Sequence, residues 1–425
     1  MWEKIKNNEE VSIQILHILI FLKWLLLAGT SGLLVGLIAT LFSYTLSGVT
    51  NFRISHPEII YGLPFAGIVI AAMYHLTGMK NPRGTNLVIS SVRSDDDIPV
   101  LMAPVIFIAT ALTHLFGGSA GREGAALQLG GSIGQNLGRL LKLNDKDVQI
   151  MTMCSMSAAF SALFGTPLTA TIFSMEVISV GIMHYAALVP CALSSIVACE
   201  TAKYLGIGAE AFVIQVIPAM SVSVFIQVIL LSALCAYMSI FFCFMMHQGS
   251  QLFARYFKNP YLRVFVGGLI IIILTMIFGT DYNGAGMNII EAAIHESTVK
   301  PEAFIIKLLM TAITLGAGYK GGEIVPSFFV GASFGCLIGP MLGLPASFSS
   351  ALGLMILFCG VTNCPMTSLF LAFELFGFQA LPLFLIADGI GYMLSGYYGL
   401  YSEQKIMYSK YNSSFIDSMA NKHVD

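Results

Sequence analysis

The chain has 425 residues, 56% of them hydrophobic and 10% charged, with a formal net charge of -2. A soluble domain carries roughly 25% charged residues, so charged groups are too few to cover a globule of this size and lipid is the expected solvent. The absence of a basic patch excludes nucleic acid as a partner. No nucleophile–base constellation, cofactor motif or metal-type spacing argues for an enzyme, so a non-enzymatic protein without cofactor or metal is expected.

In chain order, residues 1–10 are polar and read as a cytoplasmic N-terminus. The apolar stretch behind them is too long for the core of a cleavable signal. Apolar stretches recur at 13–42, 59–74, 100–116, 186–199, 212–246, 264–278, 304–315, 352–358 and 381–393. Several exceed the roughly 20 residues that cross a bilayer. Others are shorter or broken by glycine, which predicts tilted and interrupted helices. No train of alternating ten-residue strands supports a β-barrel. The fold class expected is an all-α, multi-pass integral membrane protein. Lysines and arginines in loops and ends favour cytoplasmic termini. The eight cysteines lie in apolar segments without CxxC spacing and read as small buried hydrophobes with free thiols.

The segment at 114–134 departs from this apolar background. It runs from His114 through Gly117, Gly118 and Ser119 to Gly121-Arg122-Glu123-Gly124, then to Gly130, Gly131, Ser132 and Gly134. An acid at membrane depth is costly and is by default a functional group. Glycines before a helix leave backbone N–H groups free at its positive end, a ready anion site. An anion site beside a protonatable carboxylate is what anion transport coupled to protons needs. Ionised, Glu123 can occupy the anion's place; protonated, it can swing away. The bland alternative is a first-turn glutamate that complements the helix dipole or pairs with Arg122, a pairing that adjacency on a helix disfavours. Arg122 has no obvious acid partner in sequence, which leaves bonding to loop carbonyls or direct contact with an anion.

The second half repeats the pattern. Gly121-Arg-Glu123, Gly130-Gly-Ser132-Ile-Gly134 and Gly138 match Gly321-Gly-Glu323, Gly331-Ala-Ser333-Phe-Gly335 and Gly339. Pro167, Thr169 and Glu176 match Pro365, Thr367 and Glu374 at identical spacing. Duplication with Gly/Pro-interrupted helices points to a secondary transporter whose broken helices meet near the membrane centre. The glycines at four-residue spacing also read as close helix packing. Glu176 and Glu374, matched across the repeat, read as sharing a structural role.

These motifs resemble the CLC family of chloride channels and anion/proton antiporters over nearly the whole membrane region. Gly121-Arg-Glu-Gly-Ala125 is similar to the family's Gly-Arg-Glu-Gly-Pro, and Gly321-Gly-Glu-Ile-Val-Pro326 to its Gly-Gly-x-Phe-x-Pro. Gly84-Thr85-Asn86-Leu87 stands where the family has Gly-Ser-Gly-Ile-Pro, and Tyr401 looks like its late tyrosine. Ala125, Gly84–Leu87 and Glu323 are the departures that resemble the bacterial fluoride/proton antiporter branch. Val177 stands where chloride/proton antiporters carry a second glutamate. Val88, Ser91 and Val325 depart from the fluoride pattern.

The resemblance implies a CLC-type fold of two inverted repeats, at 11–205 and 206–400. Residues 401–425 then form a short inner-gate segment and cytoplasmic tail with no added regulatory domain. It also implies a homodimer with one pore per subunit, in a bacterial plasma membrane. Glu123 is implied as gate and proton carrier. Gly84, Thr85, Asn86, Leu87, Gly121, Arg122, Gly124, Glu323, Ile324, Val325 and Tyr401 are implied as the anion site. Ile324 and Val325 are expected to offer backbone N–H groups. Thr85 and Asn86 supply side-chain donors for an anion or simple N-caps, and both readings stand. Glu323 is expected to be neutral, to serve the proton path or to bond nearby N–H groups. The function expected is exchange of a halide for protons, with fluoride export first. A chloride channel or chloride/proton exchanger is the alternative, and a non-transporting membrane subunit the remote one.

Overall fold

The computed structural model describes residues 9–79, 82–94 and 96–422, with side chains from Ile13 onward. Residues 1–8 of the expected N-terminal segment and 423–425 of the expected tail lie outside the described residues.

The membrane body is helical. Helix α1 (Glu9–Ser55) is followed by a 3-10 turn (Pro57–Gly62) and α2 (Leu63–Leu76). The first half continues with α3 (Thr85–Arg93), α4 (Met102–Leu115), α5 (Glu123–Leu140), α6 (Asp145–Phe164), α7 (Pro167–Glu176) and α8 (Leu188–Tyr204). The second half has α9 (Val222–Tyr256), α10 (Pro260–Phe278) and the short α11 (Met287–Glu291). It ends with α12 (Ala303–Ala317), α13 (Ile324–Met341), α14 (Ala346–Thr362), α15 (Pro365–Phe376) and α16 (Leu381–Leu394). Among the described residues, seven helical segments are long and apolar enough to cross a membrane. Leu26, Leu41, Ile54, Phe65, Met276 and Ile277 project large apolar side chains outward, as a lipid-facing surface does.

The order α4–α8 recurs as α12–α16, with α5 and α13 each 18 residues long. Each follows a glycine-containing turn, Gly121 before α5 and Gly321-Gly322 before α13, and packs tightly on the next helix. A methyl at Gly130 would strike the Ser155 carbonyl of α6, and one at Gly331 the Gly353 carbonyl of α14. Side-chain volume is therefore excluded at these positions, so the small-residue spacing works as close packing. Helices α7 and α15 both begin with proline at the first turn, where its missing N–H costs nothing.

The two halves clasp each other through their matched glutamates. Glu176 accepts from Met366 N (3.1 Å), Thr367 N (2.8 Å) and Thr367 Oγ1 (2.6 Å) at the start of α15. Glu374 accepts from Leu168 N (2.9 Å), Thr169 N (2.8 Å) and Thr169 Oγ1 (2.6 Å) at the start of α7. Each carboxylate caps the other half's helix, where N–H groups are unsatisfied and the dipole favours negative charge. Reciprocity of this kind is what two copies related by a pseudo-two-fold axis produce. Glu176→Ala is expected to lower stability by about 2–4 kcal/mol, because buried N–H groups of α15 lose a charged acceptor. Glu374→Ala should cost less, since Glu374 is only half-buried. Thermal unfolding of the detergent-solubilised variants measures this order, and equal or absent shifts would contradict the clasp.

Two differences from the sequence expectation stand out. The apolar stretch at 212–246 does not become one helix, because α9 starts only at Val222, capped by Ser221 Oγ on Val224 N at 3.2 Å. Residues before it run extended, with Phe212 N bonded to Leu375 O (2.8 Å) and Gln215 N to Ser347 Oγ (2.9 Å). The segment after Tyr401 is built into the fold. Strand β2 (Lys405–Tyr408) pairs antiparallel with β3 (Phe415–Met419) and parallel with β1 (Ser179–Val180) of the first half. Lys410 locks this hairpin down, donating to Asn363 Oδ1 (2.6 Å), Tyr392 O (3.1 Å) and Ser395 Oγ (3.1 Å). The cysteines are unpaired thiols, all buried except the half-buried Cys199.

Candidate functional site

The two glycine-led helix starts meet. Gly121 N bonds Gly322 O at 2.7 Å and Gly322 N bonds Gly121 O at 2.8 Å, an antiparallel bridge between the halves. Only glycine fits there. A methyl at Gly322 would lie 2.7 Å from Gly124 N, 2.8 Å from Glu123 N and 3.0 Å from Glu123 Oε2. The bridge brings the N-terminus of α5, which begins at Glu123, against that of α13, which begins at Ile324.

Glu123 is fully buried between these ends. Its Oε2 accepts from Arg122 N at 3.0 Å and from Val325 N at 3.3 Å. The carboxylate thus accepts from the first turn of α13. Oε1 is buried without a hydrogen-bond partner. Arg122 Nε stands 3.9 Å from Oε1, so two backbone donors and a neighbouring guanidinium surround the buried carboxylate.

A third helix start completes the arrangement. Gly84 adopts φ +58°, a conformation that favours glycine, and turns the chain into α3. Thr85 Oγ1 donates to Gly124 O at 3.3 Å. Gln128 Nε2, which sequence reasoning missed, donates to the same carbonyl at 3.0 Å and to Thr85 Oγ1 at 3.4 Å. Asn86 Oδ1 accepts from Glu403 N at 3.1 Å, so its Nδ2 donor remains for the cleft beside it. Thr85 and Asn86 are therefore not simple N-caps: neither side chain caps its own helix.

That cleft has a volume of about 350 Å³ and gathers Gly84, Thr85, Asn86, Gln128, Glu323 and Tyr401. Tyr401 is 2% exposed and its Oη has no partner. Lys320, also lining the cleft, stands 4.7 Å from the Tyr74 ring centroid. Leu87 and Ile324 do not line the cleft, and Leu87 N is used in a turn to Gly84 O at 3.1 Å.

A second cavity of about 520 Å³ lies at the other end of α2. The 3-10 turn leading into α2 contributes Pro57 and Ile60 to this cavity, and the far end of α2 contributes Tyr74 to the cleft. Fourteen helical residues rise roughly 21 Å, so the cavity and the cleft lie about one length of α2 apart. Arg122 lines this second cavity, turned away from the cleft, and donates to Glu210 Oε1 at 2.8 Å. The expectation that Arg122 lacks an acid partner is therefore corrected. The partner comes from the extended linker between the halves, 88 residues along the chain. His114 Nε2 lies 3.2 Å from Gly121 O, tying the cavity wall to the glycine bridge.

The described residues match known proteins in the same terms. The family model described as voltage gated chloride channel covers residues 66–396. A chloride/fluoride channel protein of Pseudomonas syringae pv. tomato is 34% identical over 92% of this chain and 88% of its own. The crystal structure of a CLC-type fluoride/proton antiporter superposes with a TM-score of 0.87 at 33% identity, over 90% of this chain and 98% of that one. A slow cyanobacterial chloride/proton antiporter, 19% identical, shares the fold with a TM-score of 0.75 over 88% of this chain and 94% of that one.

Proposed function

Because this chain belongs to the CLC family of voltage-gated chloride channels and antiporters, we propose that it is an antiporter that exports fluoride in exchange for protons, with Glu123 as gate and proton carrier. The observation that carries this reading is the seat of Glu123 Oε2 on Val325 N and Arg122 N, between two glycine-led helix starts. An ionised carboxylate accepts those hydrogen bonds strongly; a protonated one accepts them weakly. Protonation therefore frees the N–H groups for an anion, and return of the carboxylate after proton release expels it. One group thus exchanges the two ions through one place, which is what couples their fluxes.

The cleft supplies the other end of the path. Asn86 Nδ2 and the Tyr401 hydroxyl offer N–H and O–H donors to a dehydrated anion. Fluoride, the smallest halide and the strongest hydrogen-bond acceptor, gains most from such donors. Glu323, on the cleft wall, is read as the second proton station, since an ionised acid there repels the anion that a neutral one tolerates. Arg122 is read as a structural anchor, because Glu210 already engages it. We further read the chain as repeats at 11–205 and 206–400. It is taken to assemble as a homodimer with one pore per subunit, in the plasma membrane with both termini in the cytoplasm.

Efflux of fluoride and of chloride from vesicles loaded with either salt tests the anion. Fluoride efflux is expected to exceed chloride efflux by at least about tenfold, a difference of roughly 1.4 kcal/mol at the barrier. Equal or greater chloride efflux would transfer the same mechanism to chloride. That outcome has a basis in Val325, an apolar side chain at the helix start.

A further inference from the structure

The transport reading makes no use of Lys307. It lies within the apolar run of α12, is fully buried, and among the described residues forms no ion pair. Its Nζ donates to Gly284 O at 2.6 Å and Tyr282 O at 3.1 Å and lies 5.3 Å from the Phe329 ring centroid. A lysine buried at membrane depth without an acid partner is costly and calls for a function.

Its surroundings supply one. Gly284 and Gly286, both with positive φ, flank Ala285 at the wall of the 520 Å³ cavity, which Gly286 lines. A methyl at Gly286 would stand 3.5 Å from Lys307 Nζ, and one at Gly284 would stand 2.8 Å from Arg53 Nη1. The lysine therefore lies one backbone layer behind the cavity. Arg53 lines the cavity itself and donates to His114 O at 2.9 Å, again with no acid partner among the described residues. The other charges of the wall are matched. Asp281 pairs with Lys300 at 2.9 Å and Arg122 with Glu210 at 2.8 Å. Hydrogen bonding to Asp281 holds Lys300 above the ordinary lysine range. The wall thus carries Arg53, with Lys307 behind it, and neither is ion-paired among the described residues. It also presents Asn283, whose Oδ1 accepts from Thr275 Oγ1 at 3.1 Å, which leaves its Nδ2 as a donor.

We propose that this cavity is a capture site for a hydrated small monovalent anion, held by Arg53 and Lys307 before it enters the position that Glu123 occupies. The volume suits a hydrated ion rather than a bare halide, since a water's share of liquid volume is roughly 30 Å³ and the cavity holds more than ten such shares. Because Lys307 is buried, salt screens it less than an exposed charge. This inference rests on the transport reading above.

Purified protein inserts into vesicles both ways round, so the dependence of flux on external fluoride, or on chloride, has one component for each face. Arg53→Gln is expected to raise the half-saturating concentration of one component by about fivefold, as loss of one charge at roughly 10 Å predicts, and to leave the other in place. Arg53→Lys should restore it, and Lys307→Met should move the same component as Arg53→Gln. Neither component moving, both moving together, or Arg53→Lys failing to restore would overturn the proposal. If Lys307→Met does not fold, the Arg53 pair decides. No flux in the unsubstituted protein would end the transport reading itself, whereas full flux with unmoved components ends only the capture site.

Discussion

Glu123→Gln is expected to abolish proton movement while leaving the protein folded. The amide oxygen keeps an acceptor for Arg122 N and Val325 N, which the carboxylate bonds at 3.0 and 3.3 Å. Side-chain volume and burial are unchanged, so the cost in stability should stay near 1 kcal/mol, the ordinary net value of a hydrogen bond. What disappears is the ionisable proton and the charge that competes with an anion for the helix end. Proton flux driven by an anion gradient should fall at least about 100-fold, the lower end of what a positioned proton-transfer group contributes. A pH electrode outside reconstituted vesicles reads this directly. Normal proton flux in the variant would remove Glu123 from the mechanism and leave it as a dipole-matched first-turn acid.

Gly322→Ala is expected to stop transport for a different reason. The added methyl would sit 2.7 Å from Gly124 N and 2.8 Å from Glu123 N, in front of the N–H groups of α5. Both contacts are with backbone that the Gly121–Gly322 bridge holds in place, so neither gives way cheaply. Overpacking of this kind costs about 1–3 kcal/mol of stability. Two hydrogen bonds to a charged ligand are worth about 1.5–3 kcal/mol each, so their loss should cut anion flux by at least about 100-fold. Gly29→Ala is the control, because nothing lies within 4 Å of its added methyl. Efflux rates of the two variants in identical vesicles give the comparison. Similar rates would show that the helix ends do not face the anion.

The parts of this arrangement that were legible in sequence are those where residue chemistry forces a backbone outcome. Glycine ahead of Glu123 and paired glycines ahead of Glu323 announced two helix starts, and the bridge between Gly121 and Gly322 is where side-chain volume is excluded. The repeat of Pro167, Thr169 and Glu176 at Pro365, Thr367 and Glu374 announced a shared structural role. That each glutamate caps the other half's helix was hidden, since the bonds join residues 190 or more positions apart. Distance along the chain also hid Glu210 from Arg122 and Glu403 from Asn86. Lys307 was overlooked because one charge in an apolar run barely alters its character. The hairpin after Tyr401 was missed because its strands gain an edge only from Ser179 and Val180, in the other half. Phe212 to Met220 read as helix on apolarity, yet their N–H groups at Phe212 and Gln215 find partners on α15 and α14 instead.

Coupling of the two ions through Glu123 is the central claim, and reversing the driving force tests it most directly. Vesicles containing the purified protein are loaded with fluoride, diluted into fluoride-free medium at equal internal and external pH, and clamped at zero membrane potential. The account predicts that fluoride leaving the vesicles drives protons inward, so the outside turns alkaline with no proton gradient to begin with. Fluoride efflux with no change in external pH would contradict it and make the protein a passive anion pathway.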